Sequence, residues 1–126
     1  MKLPELTKLA PVRFDLQLRR ITQVSYANLH CGSVGKLFLA TLSDEELTQY
    51  LKQKLPALTR YTITKPNLLK NEILEARATG IAINFKEHRE EWCGISGAIK
   101  DKAGRTVAYL NVTLPTFNSS REKVKN

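Results

Sequence analysis

The feature that most constrains this chain is a change of hydrophobic period at Gly80. Before it, Leu69, Ile73 and Ala76 recur at helical spacing. After it, Ile81, Ile83 and Phe85 alternate, which is the two-residue period of a strand with one buried face. Pro66 suits the first turn of the helix, where its missing amide proton is no loss, and Gly80 supplies the left-handed stop. Two more strands, over 92–100 and 105–114, flank Asp101-Lys-Ala-Gly104, a hairpin turn with Gly104 at the position that demands positive φ. Helices in the middle and antiparallel strands at the end predict an α+β fold.

The upstream half fits that class. Phe14, Leu16 and Leu18 alternate with Asp15, Gln17 and Arg19 and predict a first half-buried strand. Cys31–Leu42 opens on small residues and continues as an apolar block, which predicts a buried helix. Ser43-Asp44-Glu45-Glu46 is a capping box, and the helix it opens runs to about Lys54 with Leu47, Tyr50 and Leu51 on one face. Tyr61-Thr62-Ile63-Thr64 reads as a short extended piece. Residues 1–12, with Pro4 and Pro11, read as an arm or short helix, and 118–126 as a polar tail. At 126 residues with 42% apolar content, the chain is the size of one domain with a core of its own. Cys31 and Cys93 are too few for a disulfide framework. No apolar run reaches membrane length, and the N-terminus lacks a signal-peptide pattern. The expected location is therefore cytoplasmic.

The net charge of +8 makes nucleic acid a natural partner to consider, because neutralised phosphates release counterions. The charges are dispersed, however, with Arg19-Arg20 the single basic doublet and no aromatic residues interleaved with a basic stripe. A solvated basic face is the expectation.

Searches for catalytic chemistry fail one by one. Gly32-Ser-Val-Gly35-Lys36 is too short for a phosphate loop, and Leu37 stands where a magnesium-binding hydroxyl belongs. His30, Cys31, His88 and Cys93 lack the spacing of a zinc site. No nucleophile elbow surrounds Ser33 or Ser96, and Glu87, Glu90 and Glu91 read as a solvated charge run. The expectation is no enzyme, no metal and no cofactor. Two features remain. Gly32 and Ser33 begin an apolar helix whose first-turn amides make an anion seat. Asn111 and Thr113 share one face of an otherwise apolar strand, either facing solvent or lining a pocket; the pattern leaves both open.

Leu29-His-Cys-Gly-Ser-Val-Gly-Lys-Leu-Phe-Leu-Ala40, followed by Ser43-Asp-Glu-Glu46, resembles the "LHATALGKALLA…EE" segment of the ligand-sensing domain of IclR-type bacterial transcription regulators. Leu55-Pro with Thr62-Ile-Thr64 resembles that family's "LP…T.NTIT". Leu69…Glu72-Ile73…Arg77-Ala-Thr-Gly80 is similar to its "L..EL...R..GYA", Asn84-Phe-Lys-Glu87-His88 to its "DDEEH", and Asp101-Lys-Ala-Gly-Arg-Thr-Val-Ala108 with Asn111-Val-Thr113 to its "D..GRVVAALSVSGP". The likeness covers about residues 29–117. It implies an antiparallel profilin-like (GAF-like) sheet with helices packed on it. An effector-binding domain then spans 29–117, behind an N-terminal arm and first strand (1–28) and ahead of the tail (118–126), in an apparently truncated form.

The resemblance further implies that a small organic acid lies between helix and sheet, at Gly32, Ser33, Val34, Asn84, Gly94, Asn111 and Thr113. Asn84, Gly94 and Asn111 replace the family's usual Asp, Cys and Ser. Losing the carboxylate at 84 favours an anionic ligand. The implied function is control of DNA binding through dimer geometry, with a homo-oligomer expected and DNA engaged only through a DNA-binding domain outside this chain. Two alternatives stand beside it: an interaction module with no ligand, and a basic nucleic-acid-binding domain.

Overall fold

The structure, a computed structural model, describes residues 13–17 and 28–116. The expected N-terminal arm, Leu18 and the polar tail lie outside the described residues. The elements run in the order β1 (Arg13–Gln17), a 3-10 turn (Leu29–Cys31), α1 (Ser33–Ala40), α2 (Asp44–Leu51), α3 (Pro66–Thr79), β2 (Ile81–Phe85), β3 (Trp92–Lys100) and β4 (Thr106–Pro115). The strands form one antiparallel sheet in the order β1-β4-β3-β2.

The local signals act as the sequence indicates. Ser43 and Glu46 close the capping box, each side-chain oxygen accepting from the other residue's amide at 3.1 Å. Pro66 starts α3, and Gly80 ends it at φ 72. In the β3–β4 turn Gly104 has φ 81. Asp101 Oδ1 accepts from the amides of Ala103 and Arg105, both at 2.9 Å, so the side chain holds the turn that the backbone makes.

Boundaries differ where propensity alone set them. The first helix begins at Ser33 rather than Cys31, because Leu29–Cys31 tightens into a 3-10 turn, and it stops at Ala40. The second stops at Leu51 rather than near Lys54. Tyr61–Thr64 joins no strand. Thr62 instead uses its hydroxyl to accept from the amides of Leu58 and Thr59 and to donate to the carbonyl of Glu87 at 2.6 Å.

The core lies between the helices and one face of the sheet. Phe38, Leu39, Leu47, Leu69 and Ile73 form its centre, each no more than 3% exposed. Truncating one of them to Ala would cost about 2–5 kcal/mol. Nearer the sheet, Leu37 and Ala76 pack on Ala82 and Tyr109. Register divides the sheet into two faces. Ala82 and Asn84 of β2, Gly94, Ser96 and Ala98 of β3, and Tyr109, Asn111 and Thr113 of β4 are paired positions on the helix side. Ile83, Cys93, Phe85, Ile95 and Leu114 cluster on the other. On the helix face of β3 the short residues Gly94, Ser96 and Ala98 follow one another and let α1 approach.

Candidate functional site

The candidate site lies where the start of α1 meets the middle of the sheet. Gly32 is the N-cap in extended conformation, and Ser33 is the first helical residue. Gly35 fixes how the helix arrives. A Cβ there would run into the Leu29 carbonyl and stand 2.8 Å from Leu29 Cα, so only glycine lets α1 lie against the 3-10 turn. His30, buried, donates from Nε2 to the carbonyl of Pro56 at 2.8 Å and ties that turn to the loop after α2.

From this position Ser33 reaches the sheet. Its Oγ lies 2.6 Å from Ser96 Oγ and 3.3 Å from Asn111 Oδ1. Ser96 donates to the same Asn111 oxygen at 2.8 Å, and Asn111 Nδ2 donates to Thr113 Oγ1 at 3.1 Å. Each hydroxyl has one proton. The consistent arrangement is therefore a chain in which Ser33 donates towards Ser96, Ser96 to Asn111, and Asn111 to Thr113. Ser33 and Ser96 are 6% and 1% exposed, while Asn111 and Thr113 are half-buried. Gly94 is also buried, and a Cβ on it would meet Ser33 Oγ and Asn111 Oδ1 at 3.5 Å each, so it borders the same group.

Four of the seven sequence-predicted residues, Ser33, Gly94, Asn111 and Thr113, thus come together. Gly32 caps the helix beside them. Val34, half-buried, packs instead with the apolar cluster of Leu37, Ala82 and Tyr109. Asn84 pairs with Gly94 across β2 and β3, but its Oδ1 is engaged in accepting from the amide of Glu87 at 2.9 Å. The helix start and Asn111 do not face each other across a gap: Ser33 lies on Asn111 directly.

A second polar group surrounds Lys36, one turn further along α1 and wholly buried. Its Nζ donates to Glu72 Oε2 of α3 at 2.6 Å, to Glu87 Oε1 at 2.7 Å and to the carbonyl of Ile83 at 2.7 Å. Glu87 also accepts from the amide of Phe85 at 2.8 Å. The expectation that Glu87 belongs to a solvated charge run is corrected here: it is 1% exposed and sits under α1 as the partner of Lys36. Burial pushes its carboxyl above the usual carboxylate range, with Lys36 pulling the other way. Cys31 is completely buried, and burial, aided by the Glu87 charge, pushes its thiol up to about 11.

Sequence reasoning passed over Ser96, Lys36, Glu72 and Glu87. Ser96 had a signal: it alternates with Gly94 and Ala98 to make a strand face too small to fill space unless a helix sits on it. Lys36 had one too, as the lone charge in an apolar helix. Glu72 and Glu87 carry no local sign of their role. Among the described residues no three His, Cys, Asp or Glu side chains gather to hold a metal, and no described helix is long and apolar enough to cross a membrane.

Residues 15–126 match the family described as bacterial transcriptional regulator IclR, C-terminal. The chain belongs to that family. Transcriptional repressor IclR of Escherichia coli (strain K12) is 29% identical over 97 residues, which is 76% of this chain and 35% of that protein. HTH-type transcriptional regulator BhcR of Paracoccus denitrificans is 31% identical over 93 residues, 73% of this chain and 33% of that protein. The chain therefore spans about a third of the length of these curated relatives.

Among solved structures, the Thermotoga maritima IclR matches with a TM-score of 0.65 at 31% identity, over 77% of this chain and 40% of that one. The inducer-binding domain of PobR from Acinetobacter, solved as a double mutant with 3-hydroxybenzoic acid, shares the fold at a TM-score of 0.69 and 24% identity, over 78% of this chain and 57% of that one. The IclR resemblance and the α+β expectation hold, and the relatives are transcription regulators, not enzymes.

Proposed function

We propose that this IclR-type domain senses a small organic acid at the junction of α1 with β3 and β4. The observation that carries the reading is the convergence of Ser33, Ser96, Asn111 and Thr113, which brings three hydroxyls and a carboxamide from one helix and two strands into a single hydrogen-bonded group. Hydroxyls adapt as donor or acceptor, so they can turn towards a ligand carboxyl without leaving a buried proton unpaired. The start of α1 adds a dipolar preference for negative charge of roughly 0.3–1 kcal/mol, or up to ~2 when partly buried. The similarly folded PobR domain holds a hydroxylated aromatic acid, a ligand of the same general chemistry.

Because the site joins a helix to two strands, an occupant that favours one spacing of α1 over β3 and β4 shifts the population of domain arrangements. In the full regulator that shift would alter dimer geometry and, through a DNA-binding domain, operator affinity. The test is a thermal-shift screen of short keto, hydroxy and dicarboxylic acids on wild type and Thr113→Val. One acid class should stabilise wild type at millimolar concentration, and the variant should bind it more weakly by about 1–3 kcal/mol. Absence of any stabilising acid would remove the reading.

A further inference from the structure

We propose that Asn111 is a built-in occupant of this site, and that an effector headgroup binds by displacing its carboxamide. The proposal rests on the ligand-binding reading above and adds to it how the site is held closed. Asn111 Oδ1 stands 2.8 Å from Ser96 Oγ and 3.3 Å from Ser33 Oγ, one hydroxyl from β3 and one from α1. At its other end Nδ2 meets Thr113 Oγ1 at 3.1 Å. These are the contacts a planar carboxyl or carboxamide headgroup would make: one oxygen accepting from the Ser96 hydroxyl with the Ser33 hydroxyl beside it, and the second oxygen or nitrogen facing a hydroxyl that can accept or donate.

The side chain is attached to a strand beside the site by a single methylene, and it is half-buried, so it can rotate out along β4 without unfolding the sheet. Ser33 and Ser96, by contrast, are almost fully buried and stay where α1 and β3 hold them. Gly94 supplies the remaining dimension. A methyl group on it would touch Asn111 Oδ1, Ser33 Oγ and the Val112 carbonyl at 3.5 Å each, which is ordinary contact. The space vacated by the carboxamide, together with that methyl-sized margin, suits a headgroup of acetate or acetamide size. A resident competitor lowers apparent affinity by the fraction of time it occupies the site.

The experiment follows the backbone amides of Gly94 and Ser96 by NMR while acetate or acetamide is titrated into the 126-residue chain. Wild type, Asn111→Ala and Ser33→Ala are compared. Asn111→Ala should bind at least one of the two compounds about tenfold more tightly than wild type, equivalent to ~1.4 kcal/mol, and Ser33→Ala should lose the binding. If Asn111→Ala does not fold, Asn111→Ser makes the same comparison, since it removes the carboxamide and keeps a hydroxyl for Ser96. Equal affinity in wild type and the Asn111 variant, with loss in Ser33→Ala, would overturn the displacement while leaving the binding site in place. No binding to any of the proteins would overturn both.

Discussion

Two polar groups sit one helical turn apart on α1, and they are built on opposite principles. Around Lys36, one cation and the carboxylates of Glu72 and Glu87 are locked together, with the Ile83 carbonyl and Phe85 amide completing the set. Around Ser33, every partner is neutral and every bond is one that a ligand atom could replace. A buried charge has no inexpensive alternative once its partner is gone. A hydroxyl that exchanges a side-chain oxygen for a ligand oxygen changes little in net energy. The Lys36 group therefore anchors α1 to α3 and to the β2–β3 turn, while the Ser33 group, on the same helix, contains no buried charge that would fix its partners. Arg77 reinforces the anchor at the other end of α1, donating to the carbonyls of Ala40 and Leu42 at 3.1 and 3.0 Å.

The largest effect should come from breaking the anchor. Lys36→Met removes the cation that the buried Glu87 carboxylate pairs with, and should lower stability by about 3–5 kcal/mol. The loss should shrink on acidification. Burial already raises the Glu87 carboxyl from 4.5, and deleting Lys36 removes the attraction that opposes it. The folded variant then holds a proton on Glu87 at pH values where the unfolded chain has released it, so stability rises as pH falls through that window. Urea denaturation at pH 7.5 and pH 5 reads both effects. A pH-independent loss below ~1 kcal/mol, as for an exposed pair, would erase the contrast between the two groups.

Breaking the exchangeable group should cost less in stability and more in binding. Ser96→Ala takes away the donor to Asn111 Oδ1 and should destabilise the free domain by about 1 kcal/mol, while weakening a bound acid by about 2–3 kcal/mol. Equal losses in both measurements would mean that the hydroxyls are core structure and not a ligand site.

The same division between local and tertiary pairing separates what the sequence reveals from what it hides. The helix–strand switch at Gly80, the Ser43–Glu46 box and the Asp101–Gly104 turn were legible because each is decided within a few residues. Asn111 and Thr113 were legible as a polar pair, but whether they faced water depended on a helix that lies 78 positions earlier at Ser33. Glu87 was misjudged for the same reason: its neighbours Glu90 and Glu91 are exposed, and only the distant Lys36 gives it cause to be buried. Tertiary pairing, which local pattern does not encode, decided both cases.

Cys31 offers a sharper look at how firmly the anchor holds the start of α1. It lies in the turn before Ser33, fully buried, with its thiol pushed from 9.0 up to about 11. Two units of raised pKa lower the thiolate fraction at pH 8 about a hundredfold relative to an ordinary thiol, so labelling of the folded protein should be at least that much slower than of the unfolded chain. In Lys36→Met the rate should rise, because α1 loses its tether. A rapid rate in wild type would show that the helix start opens freely and that Lys36 does not hold it.

The smallest effect on stability should accompany one of the clearest effects on function. Gly94→Ala places a methyl group at 3.5 Å from Ser33 Oγ, Asn111 Oδ1 and the Val112 carbonyl, close enough to touch and too far to clash. Gly94 is absent from the positive-φ glycines, so its backbone suits alanine. Removing a glycine from a strand interior also restricts the unfolded chain, a gain of roughly 0.5–1 kcal/mol. Stability should therefore stay level or rise slightly. The methyl nevertheless fills the margin beside the Asn111 carboxamide that an incoming headgroup needs, so the affinity for a small acid should fall by about tenfold, ~1.4 kcal/mol. Paired thermal melts, with and without millimolar acid, measure both quantities on one sample. A variant that melts as high as wild type yet no longer responds to ligand would place the binding site at Gly94. A variant that keeps its response would move the site elsewhere and leave Ser33, Ser96 and Asn111 as packing between helix and sheet.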